Sequence, residues 1–295
     1  MGKVRVIEIK ESVFADNDAT SKAIREKMSA QRTLFLNVMS GPGSGKTTLL
    51  SALINRMKDQ MRIGEMDVDI ETSLDAQRVA DLTGVESIQI HNCGLCHIDA
   101  DMVSRALLEY DTENLDLLIL ENIGNLVCPA EFDTGAHKNV MLLSVPEGDD
   151  KPLKYPLMFQ VSDLVLINKI DTLEYFDFDF EVAKERILKL NPNAVVLPVS
   201  AKTGEGIERV MDWIMEERES GIQDLRMKRY GLSAMRWKAE FLKVKHTEDL
   251  EKDVVRQSIK HLPRFLSRIS RRAADRWLIC LKENQPKHGK NEREK

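Results

Sequence analysis

Lys46 stands between three glycines and two threonines, in Ser40-Gly41-Pro42-Gly43-Ser44-Gly45-Lys46-Thr47-Thr48. Closely spaced glycines let backbone N–H groups turn inward and cradle phosphate oxygens, provided a strand precedes the loop and a helix follows it. The lysine then reaches the β- and γ-phosphates, and Thr47 offers its hydroxyl to Mg²⁺. The usual pattern has glycine six residues before the lysine, where this chain has Ser40; Gly41, Gly43 and Gly45 keep the loop pliable.

A second cluster, Asn168-Lys169-Ile170-Asp171, lies about 120 residues further on. A carboxylate there accepts two hydrogen bonds from guanine, one from the ring N–H and one from the exocyclic amine. Adenine has an acceptor where guanine has its ring N–H, so it cannot match both. Ser200-Ala201-Lys202, about 30 residues later, would face the base from the other side. Alone, four residues are a weak pattern; in this order behind a phosphate loop they select guanine.

Acidic residues at two strand ends complete the phosphate end. Asp67 and Asp69 close a short expected strand, and Glu121 closes the apolar run LDLLIL just before Asn122-Ile123-Gly124. An acid at such a strand end holds Mg²⁺ directly or through water, and Gly124 can approach a γ-phosphate with its backbone N–H. The chemistry expected is in-line attack of water on that phosphate, assisted by positioning and charge neutralisation.

The third cluster is of another kind. Cys96 and His97 are adjacent in NCGLCHIDAD, and Cys128 follows Glu121 by seven residues in ENIGNLVCPAEFD. Thiolate and imidazole suit Zn²⁺ or Ni²⁺ rather than a hard ion. Three ligands leave a metal undercoordinated. A two-fold dimer would supply the rest, and a thiolate-rich planar set would favour nickel. Cys93 also forms CGLC with Cys96, a spacing able to bind zinc within one chain. His91 and His137 read as structural histidines, and Cys280 as a helix-face residue. The tether from Glu121 to Cys128 is short, so a segment that senses the γ-phosphate also carries a metal ligand, and hydrolysis would move Cys128 relative to Cys96 and His97.

These residues need a scaffold that brings them to one edge. Apolar runs at residues 34–39, 66–69, 87–91, 115–120, 140–145, 163–167 and 194–199 read as strands. Helical patterns fall at 12–31, 46–60, 73–82 with Ser73 as cap, 99–107 with Asp99 as cap, 180–190 and 206–219. Buried strands alternating with amphipathic helices imply an α/β fold, a mostly parallel sheet with helices on both faces. Ligands then bind at the carboxyl ends of the strands.

Composition agrees with this and excludes other classes. The chain has 295 residues, of which 42% are hydrophobic and 31% charged. No apolar run approaches the roughly 18 residues of a membrane span, and no secretory signal is evident. Four cysteines, one beside a histidine, fit a reducing cytoplasm and metal chemistry better than a disulfide framework. The net charge of −5 hides an asymmetry: residues 221–295 hold 20 basic and 10 acidic side chains, whereas residues 1–220 hold 23 and 38. The expected organisation is an N-terminal helical segment over 1–32, a P-loop domain over 33–220 and a basic helical extension over 221–295.

SGPGSGKTTLL, ETSLDAQRV, CHIDADM, ENIGNLVCPAEFD, EGDDKPLKYPLMF, LINKID and VSAKTGEG occur in that order. Together they resemble the HypB-type hydrogenase nickel-incorporation GTPases over roughly residues 4–218. The resemblance implies a P-loop GTPase of the metal-chaperone branch, whose GTP-loaded form is a homodimer that binds nickel or zinc at its interface. It assigns the metal site to Cys96, His97 and Cys128, and the Mg²⁺-side switch residue to Asp69. It implies a HypA-type nickel chaperone and the large subunit of a nickel–iron hydrogenase as partners. Two departures stand out. The cysteine-rich or histidine-rich N-terminal nickel motif of many members has no counterpart, and Val68-Asp69 replaces a usual Gly-Asp.

Residues 221–295 extend beyond the family pattern. Val254, Ile259, Leu262, Phe265, Leu266, Ile269, Trp277 and Leu278 lie among arginines and lysines there, with Pro263 as a break. The expectation is a basic helical hairpin on the acidic body. A docked partner is the next reading, ahead of an anionic membrane, and nucleic acid is not an expected partner. Two alternatives to hydrogenase maturation stay open. One is an accessory GTPase for another nickel enzyme such as urease, although urease-type relatives separate their Cys and His ligands by one residue. The other is a metal-binding scaffold timed by slow hydrolysis.

Overall fold

The computed structural model describes the backbone of residues 10–69, 74–91 and 94–229, and the side chains of 16–68, 76–91 and 94–222. Ser73, Cys93, the Asp69 side chain, Pro263, Cys280 and the amphipathic positions from Val254 onward lie outside the described residues.

Seven strands form one sheet: β1 (Leu34–Ser40), β2 (Ile63–Asp69), β3 (Ser87–His91), β4 (Leu117–Gly124), β5 (Lys138–Ser144), β6 (Leu164–Asn168) and β7 (Val195–Pro198). Every pairing is parallel, in the order β3-β2-β4-β1-β5-β6-β7. The helices between them are α1 (Lys10–Gln31), α2 (Lys46–Met57), α3 (Leu74–Thr83), α4 (Ala100–Ala106), α5 (Lys151–Lys154), α6 (Pro156–Gln160), α7 (Phe180–Leu190) and α8 (Ile207–Arg229). None of the described helices is long and apolar enough to cross a membrane.

β1 shows why the sheet is covered on both faces. All seven of its residues are buried. Side chains of a strand alternate, so Leu34, Leu36 and Val38 pack with Leu49, Leu53, Val79 and Ile214 from α2, α3 and α8. Phe35 turns to the other face, against Ile24 and Met28 of α1 and Val103 of α4. Met39 joins Phe159 and Ile187 of α6 and α7. Each large apolar side chain buried this way contributes about 1.5–3 kcal/mol. Three clusters on two faces thus fix the carboxyl edge.

Strand 2 starts at Ile63, earlier than the apolar run at residues 66–69 predicts. The alternation of Gly64, Glu65 and Asp67 with apolar residues disguises its first half. Gly64 is needed there, because a Cβ would meet Leu115 and the Tyr110 ring. Helix α8 runs past residue 220 to Arg229. Its Arg218 pairs with Asp116, which Arg62 also binds at 3.1 Å.

Candidate functional site

The phosphate loop connects the central strand to α2. Gly43 and Gly45 adopt φ of 74° and 97°, left-handed values that side chains other than glycine's rarely accept, and Gly45 caps α2. A Cβ on Gly45 would also meet the Asn168 amide at 2.9 Å. Lys46 donates to Ser40 Oγ at 2.9 Å. The serine that replaces the usual glycine therefore holds the lysine head inside the loop.

The residues expected to face the base are tied to the same loop. Asn168 Nδ2 donates to Ser44 O at 2.9 Å, and Lys169 Nζ donates to Gly43 O at 2.7 Å. Ala201 N donates to Asn168 Oδ1 at 3.2 Å, and Ser200 Oγ donates to Asp171 Oδ1 at 2.6 Å. Lys202 Nζ lies 3.9 Å from Asp171 Oδ2. Lys169 sits at φ 62°, a strained conformation for a non-glycine residue. Strain of this kind persists where the surroundings over-determine it, as these bonds do.

At the other side of the loop, Thr47 Oγ1 donates to Glu121 Oε1 at 2.9 Å. Glu65, Asp67 and Glu121 are all buried and bring carboxylate oxygens within 4.8 Å of one another. The register explains the cluster: Asp67 lies opposite Glu121 and Glu65 opposite Ile119, on the α2 face of the sheet. Oxygen donors gathered beside a threonine hydroxyl suit a hard divalent cation. The backbone of Asp69 continues the same strand. Glu65, which Ser87 also binds, is a site residue that the motifs missed. Its signal was the period-two spacing Glu65-Asp67-Asp69 between apolar neighbours.

β4 ends in an irregularity. Val38 pairs with Glu121 but Ser40 with Gly124, so β4 carries one extra residue, as in a β-bulge. Buried Asn122 fixes it, donating to Asn37 Oδ1 and accepting from Ile123 N. The bulge brings Gly124 against the phosphate loop, where a Cβ would lie 3.1 Å from Pro42 Cα.

Four residues beyond Gly124, Cys128 opens a single 3-10 turn. Its Sγ lies 2.9 Å from Cys96 Sγ, and Cys96 Sγ is 3.9 Å from His97 Nδ1. The bond with Cys96 is the largest of the influences that push the Cys128 thiol above its ordinary range; burial and the charge of Cys96 add to it, and Asn125 opposes it. Asn125 donates to Cys96 O at 3.2 Å, linking the two loops. The His97 ring stacks on Phe132, with centroids 3.9 Å apart and planes at 8°. The structure thus brings Cys96, His97 and Cys128 together, on the strand ends that carry the nucleotide loops.

Asp99 caps α4 as expected, accepting from Met102 N at 2.9 Å. His137 is structural: its Nδ1 accepts from Phe35 N at 3.0 Å and its Nε2 lies 2.9 Å from Ser29 Oγ. Burial, then the Arg25 charge, pushes its pKa down to about 4. His91 is the exposed end of β3.

A glycine-rich loop pinned to the Asn168–Asp171 loop, at the carboxyl edge of a parallel sheet, defines a P-loop nucleotide-binding protein. The family profile described as CobW/HypB/UreG, nucleotide-binding domain, matches residues 35–198. The hydrogenase maturation factor HypB of Rhizobium leguminosarum bv. viciae is 42% identical over 214 residues, 72% of this chain and 71% of that protein. The hydrogenase/urease maturation factor HypB of Helicobacter hepaticus is 41% identical over 221 residues, 74% of this chain and 90% of that protein. Among solved structures, HypB from Helicobacter pylori in complex with nickel superposes with a TM-score of 0.66 at 39% identity, covering 70% of this chain and 97% of that one. The chain belongs to the CobW/HypB/UreG family, on its HypB branch.

Proposed function

We propose that this protein is a GTP-hydrolysing metallochaperone that delivers nickel during maturation of a nickel–iron hydrogenase. One observation carries the reading: the segment of β4 and its following turn joins both sites. Glu121 binds the P-loop Thr47, and Cys128 lies 2.9 Å from Cys96, with Gly124 packed on the phosphate loop between them.

Each residue then has a role. The backbone of Gly41, Gly43, Ser44 and Gly45 cradles the phosphates, with Lys46 on the β- and γ-phosphates and Thr48 in the first turn of α2. Asp171 reads the guanine N–H groups, while Asn168, Lys169, Ser200, Ala201 and Lys202 hold the base loops in register. Thr47, Asp69 and Glu121, with Asp67 and Glu65 behind them, would hold Mg²⁺, which supplies charge neutralisation at the phosphates. Gly124 N–H meets the γ-phosphate. Cys96, His97 and Cys128 take nickel or zinc as cargo. Loss of the γ-phosphate releases Gly124, and the short tether carries that change to Cys128.

Three ligands from one chain leave room for a GTP-dependent homodimer to complete the metal sphere, with a HypA-type chaperone as donor and the hydrogenase large subunit as recipient. The joint hydrogenase/urease name of the Helicobacter relative favours a second reading with a urease-like client. The test is nickel transfer in vitro. The purified chain should hydrolyse GTP and load the hydrogenase large-subunit precursor with nickel in the presence of GTP. Equal loading without nucleotide, or with the Lys46→Ala variant, would overturn the proposal.

A further inference from the structure

We propose that Asn17, in the N-terminal helix α1, is a positioning residue of the metal pocket. The inference rests on reading Cys96, His97 and Cys128 as the metal ligands. The two loops that bring them are separate in sequence, and each is anchored a few residues downstream of its ligands to the same side chain. Asn17 Oδ1 accepts from Ala100 N at 2.8 Å. Ala100 is the first residue of α4, three positions after His97. Asn17 Nδ2 donates to Asp133 O at 3.0 Å. Asp133 follows Cys128 by five positions and is adjacent to Phe132, the ring stacked on His97.

One buried amide thus holds both ligand loops at a fixed separation, its oxygen accepting from one and its nitrogen donating to the other. The rest of α1 braces the second loop. Arg25 Nη2 donates to both Asp133 carboxylate oxygens at 2.7 and 2.8 Å, and its Nε donates to Ala136 O at 3.0 Å. Gly135, at φ 82°, lets the loop close on α1; a Cβ there would lie 2.7 Å from Ile24 Cβ and 2.9 Å from Ser21 O. Residues that orient metal ligands without touching the metal typically change affinity by about 10–100-fold.

The test uses the full chain, with nickel and zinc dissociation constants from chelator competition and the thiolate-to-nickel absorption band as a geometric readout. Asn17→Leu should weaken both metals about 10–100-fold and change the band, with GDP affinity within about two-fold of the parent. Asn17→Asp keeps the acceptor for Ala100 N and loses the donor, so it should lose less. A folded Asn17→Leu protein with parental metal affinity and band would overturn the inference. If Asn17→Leu fails to fold, Arg25→Gln decides. A several-fold loss with an altered band supports the proposal, and parental values overturn it. Cys128→Ser separates the two levels. Parental metal binding by Cys128→Ser would defeat the pocket itself and the inference with it. Loss of metal by Cys128→Ser beside normal binding by Asn17→Leu defeats only the positioning role.

Discussion

The phosphate loop with its partner loops and the proposed metal pocket lie on the same edge of one sheet but are built differently. Around the nucleotide, loops bind loops: Asn168 and Lys169 hold the carbonyls of Ser44 and Gly43, and Ala201 N holds Asn168. Asn168, Ser44 and Ser200 are buried. The cluster of Cys96, His97 and Cys128 is open by contrast. Cys96 is exposed and Cys128 half-buried, and the three donors sit on loop and 3-10 backbone rather than on regular elements. A preformed cradle suits a nucleotide that must bind whenever present, since its ordering costs are met on folding. An open, loop-borne pocket suits cargo that must also leave.

The sharpest way to break this comparison is to disable the cradle. Lys46→Ala should lower the rate constant for GTP hydrolysis at least about 100-fold, the scale of removing one preorganised charge stabiliser, and leave nickel affinity with GDP bound near parental. Steady-state phosphate release with parallel metal titration checks both halves. Asp171→Asn exchanges an acceptor for a donor toward guanine. It should cost about 2 kcal/mol or more in GDP affinity, as expected for losing charged hydrogen bonds, measured by nucleotide competition. Cys128→Ser acts at the other end: removing a ligand should weaken metal binding by more than the roughly 10–100-fold typical of losing a partner behind the ligands, while GDP affinity stays constant.

The last prediction sharpens the comparison from outside both sites. Burial and Arg25 lower the His137 pKa from 6.5 to about 4. The unfolded chain therefore binds this proton first as pH falls. Its contribution is complete above pH 6.5 and is lost between 6.5 and 4, at most about 3 kcal/mol. Arg25 and Lys138 are the cations facing the ring. At Asp133 burial pushes the carboxyl up, but Arg25 and the Gly135 N–H outweigh it and hold it below the usual range. Its own loss of stability falls at lower pH. His137→Gln keeps donor and acceptor atoms and should flatten the curve in that window, read from urea midpoints at each pH.

Much of this was legible in the sequence because it is local. β3 and α7 occupy the spans their patterns predict, Ser87–His91 and Phe180–Leu190. The Asp99 cap and the glycines of the phosphate loop follow from backbone rules that act within a few residues. What escaped depends on contacts distant in sequence. Glu65 joins the carboxylates only because β2 lies beside β4. The chain Asn122–Asn37–Asn139 runs across β4, β1 and β5, and Asn37 lies 85 and 102 residues from its two partners. Asn17 reads as a polar residue in a weakly amphipathic helix until Ala100 and Asp133 are seen against it. Asn122 and Asn17 bridge elements and leave no periodic trace, so motif spacing finds the candidate ligands and misses what aims them.

The central claim is that the phosphate end of the nucleotide and the thiol pocket share one moving segment, from Glu121 to Cys128. The direct measurement is the nickel dissociation constant of the full chain with GDP and with a nonhydrolysable GTP analogue. The account predicts clearly different values, with the difference abolished in Cys128→Ser. Identical constants in both nucleotide states would contradict it.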